Sequence, residues 1–517
     1  MPFFKREVLE RWLLVALTLL CSAVVILAPL QVDAVDNHPF STDADQFNYA
    51  KLLYEQGHYR VAAREFGKVI EDYPMSPLKR VAHFRMASAY DKAGMEREAL
   101  LQLSQYTRNY PDRTRRPAAS KTRRVAPEKK RVVPLPFIEP AVIVSPGVET
   151  PPLPVERLTR RAPPPLRAAQ VAVFNGQSWS DVEREFDALK RAGVNTVILR
   201  VFQNRGDRFY SFVEHRGYEG VYFETTHAPV VADMLARVIA IAHARGMQLF
   251  AWMTTRYAGY GLGDRTDLEC KAYDVTRDAL VRCRGMDLFN DEALHHLEGL
   301  YADLAEYELD GILFQDDLVL RHTEGFGQHA EAYYLEKTGL ALVPSAMYRV
   351  KGDGGVAYTT EFWRWAHWKN RRILEIAGRL MAAVKARRPE TAFAINLMYE
   401  TLSNPRYALA WLSQDLSAAT REGFDYYAVM AYHRQMGSEL GQSTIKIKAL
   451  IEDMTAEAVE IVGDPGKVLI KLQSIDWETL RPIANAEIND VMNGVGKVKG
   501  VSLALFPYRT DVPLNDF

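Results

Sequence analysis

The sequence predicts a (β/α)8 barrel of the α/β class, preceded by an α-helical repeat region. Three observations carry the barrel. Eight short apolar runs recur after residue 170, amphipathic helical patterns separate them, and no glycine-rich phosphate turn follows the first run, where a doubly wound open sheet usually has one. The runs are 171–174, 196–202, 248–253, 311–314, 392–397, 426–431, 468–472 and 501–506, with helical patterns such as 179–192, 230–245 and 362–387 between them. After the first run the chain reads Phe174, Asn175, Gly176, Gln177, Ser178, which is not a phosphate cradle.

A chain of 517 residues is too long for one ordinary domain, and its 48% hydrophobic content is that of a protein with a real core. A formal net charge of -1 argues against a nucleic-acid partner, because a phosphate-binding surface needs a clear basic excess. Three cysteines, Cys21, Cys270 and Cys283, exclude a disulfide-dense scaffold and four-cysteine metal modules, and no cofactor motif is present.

At the N-terminus Lys5, Arg6 and Arg11 precede an uncharged apolar run at 12–30, the pattern of an export signal. The run is long enough to span a ~30 Å hydrocarbon layer, so the segment at 1–34 reads either as a cleaved signal, with Val32, Asp33 and Ala34 as the small-residue site, or as a retained membrane anchor. Basic residues ahead of the run keep the N-terminus inside, which places everything after residue 35 in the periplasm or cell envelope. In that compartment Cys270 and Cys283, separated by a turn-like sequence, are open to two states: a disulfide across a hairpin, or two separate thiols.

Residues 43–111 repeat with a period of 37: Gly57, Ala62, Tyr73 and Pro74 recur as Gly94, Ala99, Tyr110 and Pro111. Each unit reads as two amphipathic helices joined at the glycine and ended by the proline, which resembles the tetratricopeptide repeat. Two such units bury little alone, so they are expected to dock on a protein partner. The next stretch, 112–167, holds twelve of the 26 prolines and a clear basic excess, and reads as a stiffened linker to a barrel at 168–517.

In a (β/α)8 barrel the chemistry sits at the C-terminal ends of the strands. Reading past each run gives Asn175 after the first, Arg200 and Gln203 at the second, Trp252 and Arg256 at the third, and Gln315, Asp316 and Asp317 after the fourth. The fifth gives Asn396, Tyr399 and Glu400, the sixth Tyr432 and His433, the seventh Gln473, Asp476 and Trp477, and the eighth Tyr508 and Asp511. Aromatic faces beside amides and carboxylates suit a sugar, whose ring has an apolar face and a rim of hydroxyls. Glycoside hydrolysis commonly uses two carboxyl groups, so Asp316, Asp317, Glu400 and Asp476 are the candidate catalytic acids, with Glu324 a further substitute. Asn175, Arg200, Trp252, Asn396, Tyr432, His433, Gln473, Trp477 and Tyr508 are the candidate substrate-binding residues. Adjacent carboxylates at one strand end point to opposite sides, so one of Asp316 and Asp317 faces the barrel axis while the other holds loop backbone or an arginine.

Four segments in order, Phe-Ala-Trp-Met at 250–253, Asp-Gly-Ile-Leu-Phe-Gln-Asp-Asp at 310–317, Val-Met-Ala-Tyr at 429–432 and Leu-Gln-Ser-Ile-Asp-Trp at 472–477, resemble the C-terminal glycoside-hydrolase domain of the PgaB family. The resemblance covers about residues 171–508 and implies a barrel that binds, and in some members cleaves, partly de-N-acetylated poly-β-1,6-N-acetyl-D-glucosamine during biofilm export. It also implies a central carboxylate at Asp316. The chain departs from that pattern where the family carries further acids: it has His322 six residues after Asp316, the run His433, Arg434, Gln435, Met436 after the sixth strand, and Lys471 in the seventh. These changes favour a more anionic ligand than a glucosamine-rich polymer. Where the family has a metal-dependent deacetylase domain this chain has the repeats and linker, and the histidines before residue 167, His38, His58 and His83, are isolated, so deacetylation is not expected. The sequence therefore leads to a glycoside hydrolase acting on a β-linked amino-sugar exopolysaccharide in biofilm matrix synthesis or export. The alternative is a non-catalytic polysaccharide-binding module docked to an export complex through its repeats.

Overall fold

The structure, a computed structural model, describes residues 43–109 and 165–517, except 56–58, 74, 75, 77, 264, 351–355 and 516. The predicted export run and nearly all of the predicted linker lie outside the described residues. No helix among those described is long and apolar enough to cross a membrane. The chain divides into two compact units, one built around the helical repeats and one around the barrel.

In the first unit four helices follow one another: α1 Asp43–Glu55, α2 Tyr59–Asp72, α3 Lys79–Lys92 and α4 Glu96–Asn109. Ala62 and Ala99, the alanines that recur at the repeat period, are both buried, as small residues at a helix contact must be for the backbones to approach. Phe66 and Val69 of α2 pack with Ala82, Met86 and Ala89 of α3 as its core. Gly94, at φ 74°, takes the left-handed position that ends α3, and Met95 N–H closes the turn onto the Tyr90 carbonyl.

The second unit is a closed parallel barrel of eight strands: β1 Arg167–Val171, β2 Thr196–Arg200, β3 Gln248–Met253, β4 Gly311–Phe314, β5 Ala392–Met398, β6 Tyr426–Met430, β7 Val468–Gln473 and β8 Ser502–Phe506. Each strand pairs with its sequence neighbours, and β1 closes on β8 through Ala168 beside Ala504. Seven strands fall within a residue or two of the apolar runs that predict them. The first is four residues earlier than expected. Arg-Ala-Ala-Gln-Val forms the strand because Leu166 and Arg167 are tied to β8 and to the start of β2, through Ser502 Oγ and Asn195 Oδ1. The more apolar Phe174 instead leaves the sheet and packs with Phe186, Tyr210 and Tyr508 outside it.

Long-range side-chain contacts identify the barrel interior. The rings of Phe250 (β3) and Tyr426 (β6) lie 5.9 Å apart although β4 and β5 intervene in the wall, so both point inward. Gly311 pairs with Phe250, and a Cβ there would come within 2.6 Å of the phenyl ring, which is the steric reason for glycine in the Asp-Gly-Ile-Leu-Phe run. Asp310 beside it accepts hydrogen bonds from Leu249 N–H at 2.8 Å and His243 Nε2 at 2.9 Å, tying the start of β4 to β3 and its preceding helix.

Two excursions frame the mouth. A hairpin, Glu269–Asp274 with Ala279–Met286, follows β3, and Cys270 and Cys283 form a disulfide across it. The loop after β4 hydrogen-bonds to this hairpin through Tyr273 N–H to the Thr323 carbonyl and through Gly325 and Phe326 N–H to the Lys271 carbonyl.

Candidate active site

One turn of side chains above Phe250, the interior layer at the mouth is polar and aromatic. Trp252 is two residues on from Phe250 and faces the same way, and its ring lies 5.5 Å from that of Phe506 on β8, with β1 and β2 intervening in the wall. Arg200 pairs with Trp252 in register and shares its face. From the other side Lys471 on β7 donates from Nζ to Asn396 Oδ1 on β5 at 2.7 Å, across β6. Asn396 is held in turn by its own Nδ2, which donates to the Phe314 carbonyl at 2.9 Å. Tyr432 and Trp477 stand above Phe506 with ring centroids 6.2 and 5.9 Å from it, and Trp477 Nε1 donates to Gln435 Oε1 at 3.2 Å.

Asp316 lies two residues past β4, deeply set but still in contact with solvent. No side chain of another described residue hydrogen-bonds its carboxylate. Burial raises its pKa above the usual carboxylate range, Lys471 pulls it back, and Asp317 pushes it up. Lys471 moves the opposite way: burial lowers it far from the ordinary lysine value, and the Asp316 charge resists that. The charge of Asp316 also reaches Tyr432, whose phenol is raised by burial first. An acid and an amine are thus brought toward each other in proton affinity, against an aromatic wall made by Trp252, Phe506, Tyr432 and Trp477.

Asp317 has the other fate. Thr254 Oγ1, Thr255 Oγ1 and the Thr255 and Tyr257 amides all donate to its carboxylate at 2.6 to 3.1 Å, so it holds the backbone at the end of β3. It is a positioning residue and not a catalytic acid, because every lone pair facing the protein is taken. Glu324 is likewise committed, to Arg256 at 2.5 Å, and that pairing outweighs burial and keeps its pKa low. Burial works against ionising Asp476 too, but Thr479 and Arg434, at 2.6 Å, hold it ionised at the head of a turn.

Glu400, at the end of β5, is the second acid left free. Its Oε2 is buried without a partner, and burial raises its pKa to about 7, with Glu439 adding to the shift. Glu439 accepts from Tyr399 Oη at 2.9 Å and Gln435 Nε2 at 2.8 Å. Beside these acids Tyr407, Trp411 and His322 form a stack, with centroids 5.5 Å apart for the first pair and 3.9 Å for the second. His322 is held near a pKa of about 3 by burial and by Lys369, and stays neutral.

Four predicted substrate contacts lie elsewhere. Gln473 accepts the Arg434 and Gln435 amides at 3.0 and 3.1 Å and so fixes the first turn of the helix His433–Leu440. His433 is buried behind that helix against Glu487 at 3.1 Å. Asn175 is exposed on the loop after β1, where its amides meet Tyr508 Oη, which also contacts Glu185. Asn175 and Tyr508 are thus committed to each other. Phe506, Glu439, Trp411 and Tyr407 are the residues that sequence reasoning missed. Phe506 reads as core because it ends an apolar run, and the other three sit in helices, which strand-end reading does not inspect.

Among the described residues no group of three or more His, Cys, Asp or Glu side chains is arranged to hold a metal ion. No curated protein matches the chain. Among solved structures the chain is similar to the PgaB (BpsB) glycoside hydrolase domain from Bordetella bronchiseptica, at 21% identity and a TM-score of 0.53, over 66% of this chain and 94% of that one. It is also similar to the catalytic domain of a β-amylase from Paenibacillus polymyxa, at 12% identity and a TM-score of 0.44, over 66% of this chain and 92% of that one. The first of these likenesses shows the fold. Residues 46–76 and 81–113 each match a tetratricopeptide repeat. Residues 177–505, from the loop after β1 into β8, match the family described as hypothetical glycosyl hydrolase family 13, and with well over half of its length inside that match the chain belongs to this family, with tetratricopeptide repeats at its N-terminal side.

Proposed function

We propose that the barrel hydrolyses a β-linked amino-sugar exopolysaccharide of the poly-β-1,6-N-acetylglucosamine kind, in biofilm matrix synthesis or export. The observation that carries this reading is that, of the five candidate acids, Asp316 and Glu400 alone are left without a committed partner, and both have raised proton affinity. Lys471 supports the ionised form of Asp316, which suits a base or nucleophile, while Glu400, near neutrality, suits the acid that protonates the leaving oxygen. The Trp252, Phe506, Tyr432 and Trp477 wall offers ring faces to the polymer.

Partly de-N-acetylated poly-β-1,6-N-acetylglucosamine should be shortened by the protein, as followed by product mass. Because Glu400 acts when protonated, turnover is expected to fall as pH rises through about 7, and Glu400→Gln should remove that limb. A limb unchanged in the variant assigns the proton to another group. One feature favours a second reading, a polysaccharide-binding barrel without turnover: Lys471 stands where the family pattern has an acid, so Asp316 faces an amine and not a second carboxylate. In that case the polymer binds and its length does not change.

The repeats support docking to a protein partner, and the apolar run at 12–30 supports a place in the periplasm, anchored or released. A reporter enzyme active only outside the cytoplasm, fused after Phe517, should be active; activity only in a cytoplasmic reporter would refute export.

A further inference from the structure

We infer that the polymer is acidic: Arg200 and Trp252 form a subsite at the barrel mouth for the carboxylate of a uronate sugar. The inference rests on the saccharide reading of the barrel and amends the polymer named there, to one that carries uronate units beside its amino sugars.

Arg200 is only 3% exposed, and its guanidinium is used on one side alone, where Nη1 meets Asp207 Oδ2 at 3.2 Å. Nε and Nη2 are buried with no partner. These two N–H groups form one edge of the guanidinium, parallel donors spaced to match the two oxygens of a carboxylate. Trp252, 5% exposed and paired with Arg200 in register, also has a buried Nε1–H without a partner. Three donors in one layer therefore lack acceptors, and leaving each buried donor unmet costs on the order of 1–3 kcal/mol. Such a cost is retained where a ligand supplies the acceptors.

The surroundings favour an acceptor-only, negatively charged group over a sugar hydroxyl. Asp207 already balances Arg200 on its far side and is fixed there by the Asn204 amide at 3.0 Å, so it cannot swing to the open edge. Elsewhere in the layer Lys471 faces Asp316, so that carboxylate has its own counter-charge and does not answer the remaining edge of Arg200. The nearest phenols are committed: Tyr222 Oη donates to Gln203 Oε1 at 2.7 Å, Tyr260 Oη to Asn204 Oδ1 at 2.9 Å, and Tyr210 Oη to the Arg200 carbonyl at 3.2 Å. An aromatic wall runs from the half-buried Trp477 and Tyr432 over Phe506 to Trp252, beside these donors. A sugar stacked on that wall, with its C5 carboxylate directed at Arg200, would supply the acceptors these buried donors lack.

The test uses the full chain and calorimetric titration with a β-linked oligosaccharide alternating glucuronate and N-acetylglucosamine, beside its carboxyl-reduced form. Wild type should bind the acidic form at least about tenfold more tightly, the scale set by two charge-assisted hydrogen bonds. Arg200→Lys keeps a cation for Asp207 but loses the fork, and should abolish the preference. Trp252→Phe keeps the ring and loses the N–H, and should reduce the preference about threefold, which decides the matter if the lysine variant does not fold. Equal binding of the two forms by wild type, or a preference that survives in every folded variant, would overturn the inference. If poly-β-1,6-glucosamine binds and the carboxylate adds nothing, only the uronate subsite falls. If no saccharide binds, the saccharide reading falls with it.

Discussion

Asp316→Asn should lower turnover of a susceptible amino-sugar polymer by at least about 100-fold, the typical loss for a positioned acid or base, with binding largely kept. Asparagine keeps the size and outline of the side chain and removes only the charge. No described side chain relies on the Asp316 carboxylate for a hydrogen bond, so packing is unaffected. Lys471 loses its counter-charge, but burial has already brought its proton affinity far down, and release of that proton leaves a neutral amine still bonded to Asn396. The variant is therefore expected to melt close to wild type, which separates lost chemistry from lost structure. In a binding module the pattern reverses: wild type shows no turnover, Asp316→Asn changes affinity modestly, and Trp252→Ala or Trp477→Ala changes it more, because ring stacking holds the ligand. Cleavage that survives Asp316→Asn unchanged would move the catalytic assignment to Glu400.

Arg256→Met should destabilise the barrel by about 3–5 kcal/mol, the cost of removing one partner from a buried ion pair. Arg256 is fully buried, bonds Glu324 at 2.5 Å and the Val319 carbonyl at 3.1 Å, and reaches Cys270 Sγ at 3.1 Å. It therefore joins the end of β3, the disulfide hairpin and the loop that follows Asp316. The pH dependence has a definite sign. In wild type Arg256 holds the pKa of Glu324 low despite burial, so the stabilisation is present above the unfolded value of about 4.3 and is lost as pH falls through the depressed one. In the variant only Arg321, through its amide and its charge, still opposes burial, so that pKa rises from its wild-type value and stability relative to wild type falls as pH rises. The gap between the two proteins, measured by urea unfolding, should be wider at pH 8 than at pH 5. A constant gap would mean that Glu324 is not the group left unpaired.

The strands were legible because parallel strands buried on both faces are short continuous apolar runs, and seven of eight stand where those runs are. The first was misplaced because Arg167, Ala168, Ala169 and Gln170 have little strand character of their own and are recruited by pairing with β8 and β2. The repeat was legible because its glycine, alanine, tyrosine and proline return at a fixed spacing.

By itself the sequence determined the barrel, the helical repeats, the position of Asp316 at a strand end and the aromatic character of the mouth. These are local or periodic properties, set by hydrophobic spacing and by which residue follows each apolar run. Which acids remain free was decided only by the tertiary structure. Asp317, Glu324 and Asp476 look like Asp316 and Glu400 along the chain, but their partners are Thr254, Arg256 and Arg434, up to 68 positions away. A carboxylate becomes structural or chemical according to the donors that folding brings within 3 Å of it, and to the water that folding takes away. The open edge of Arg200 is the same kind of fact: the residue was visible in the sequence, and only closure of the barrel around it showed that two of its donors have no acceptor in the protein.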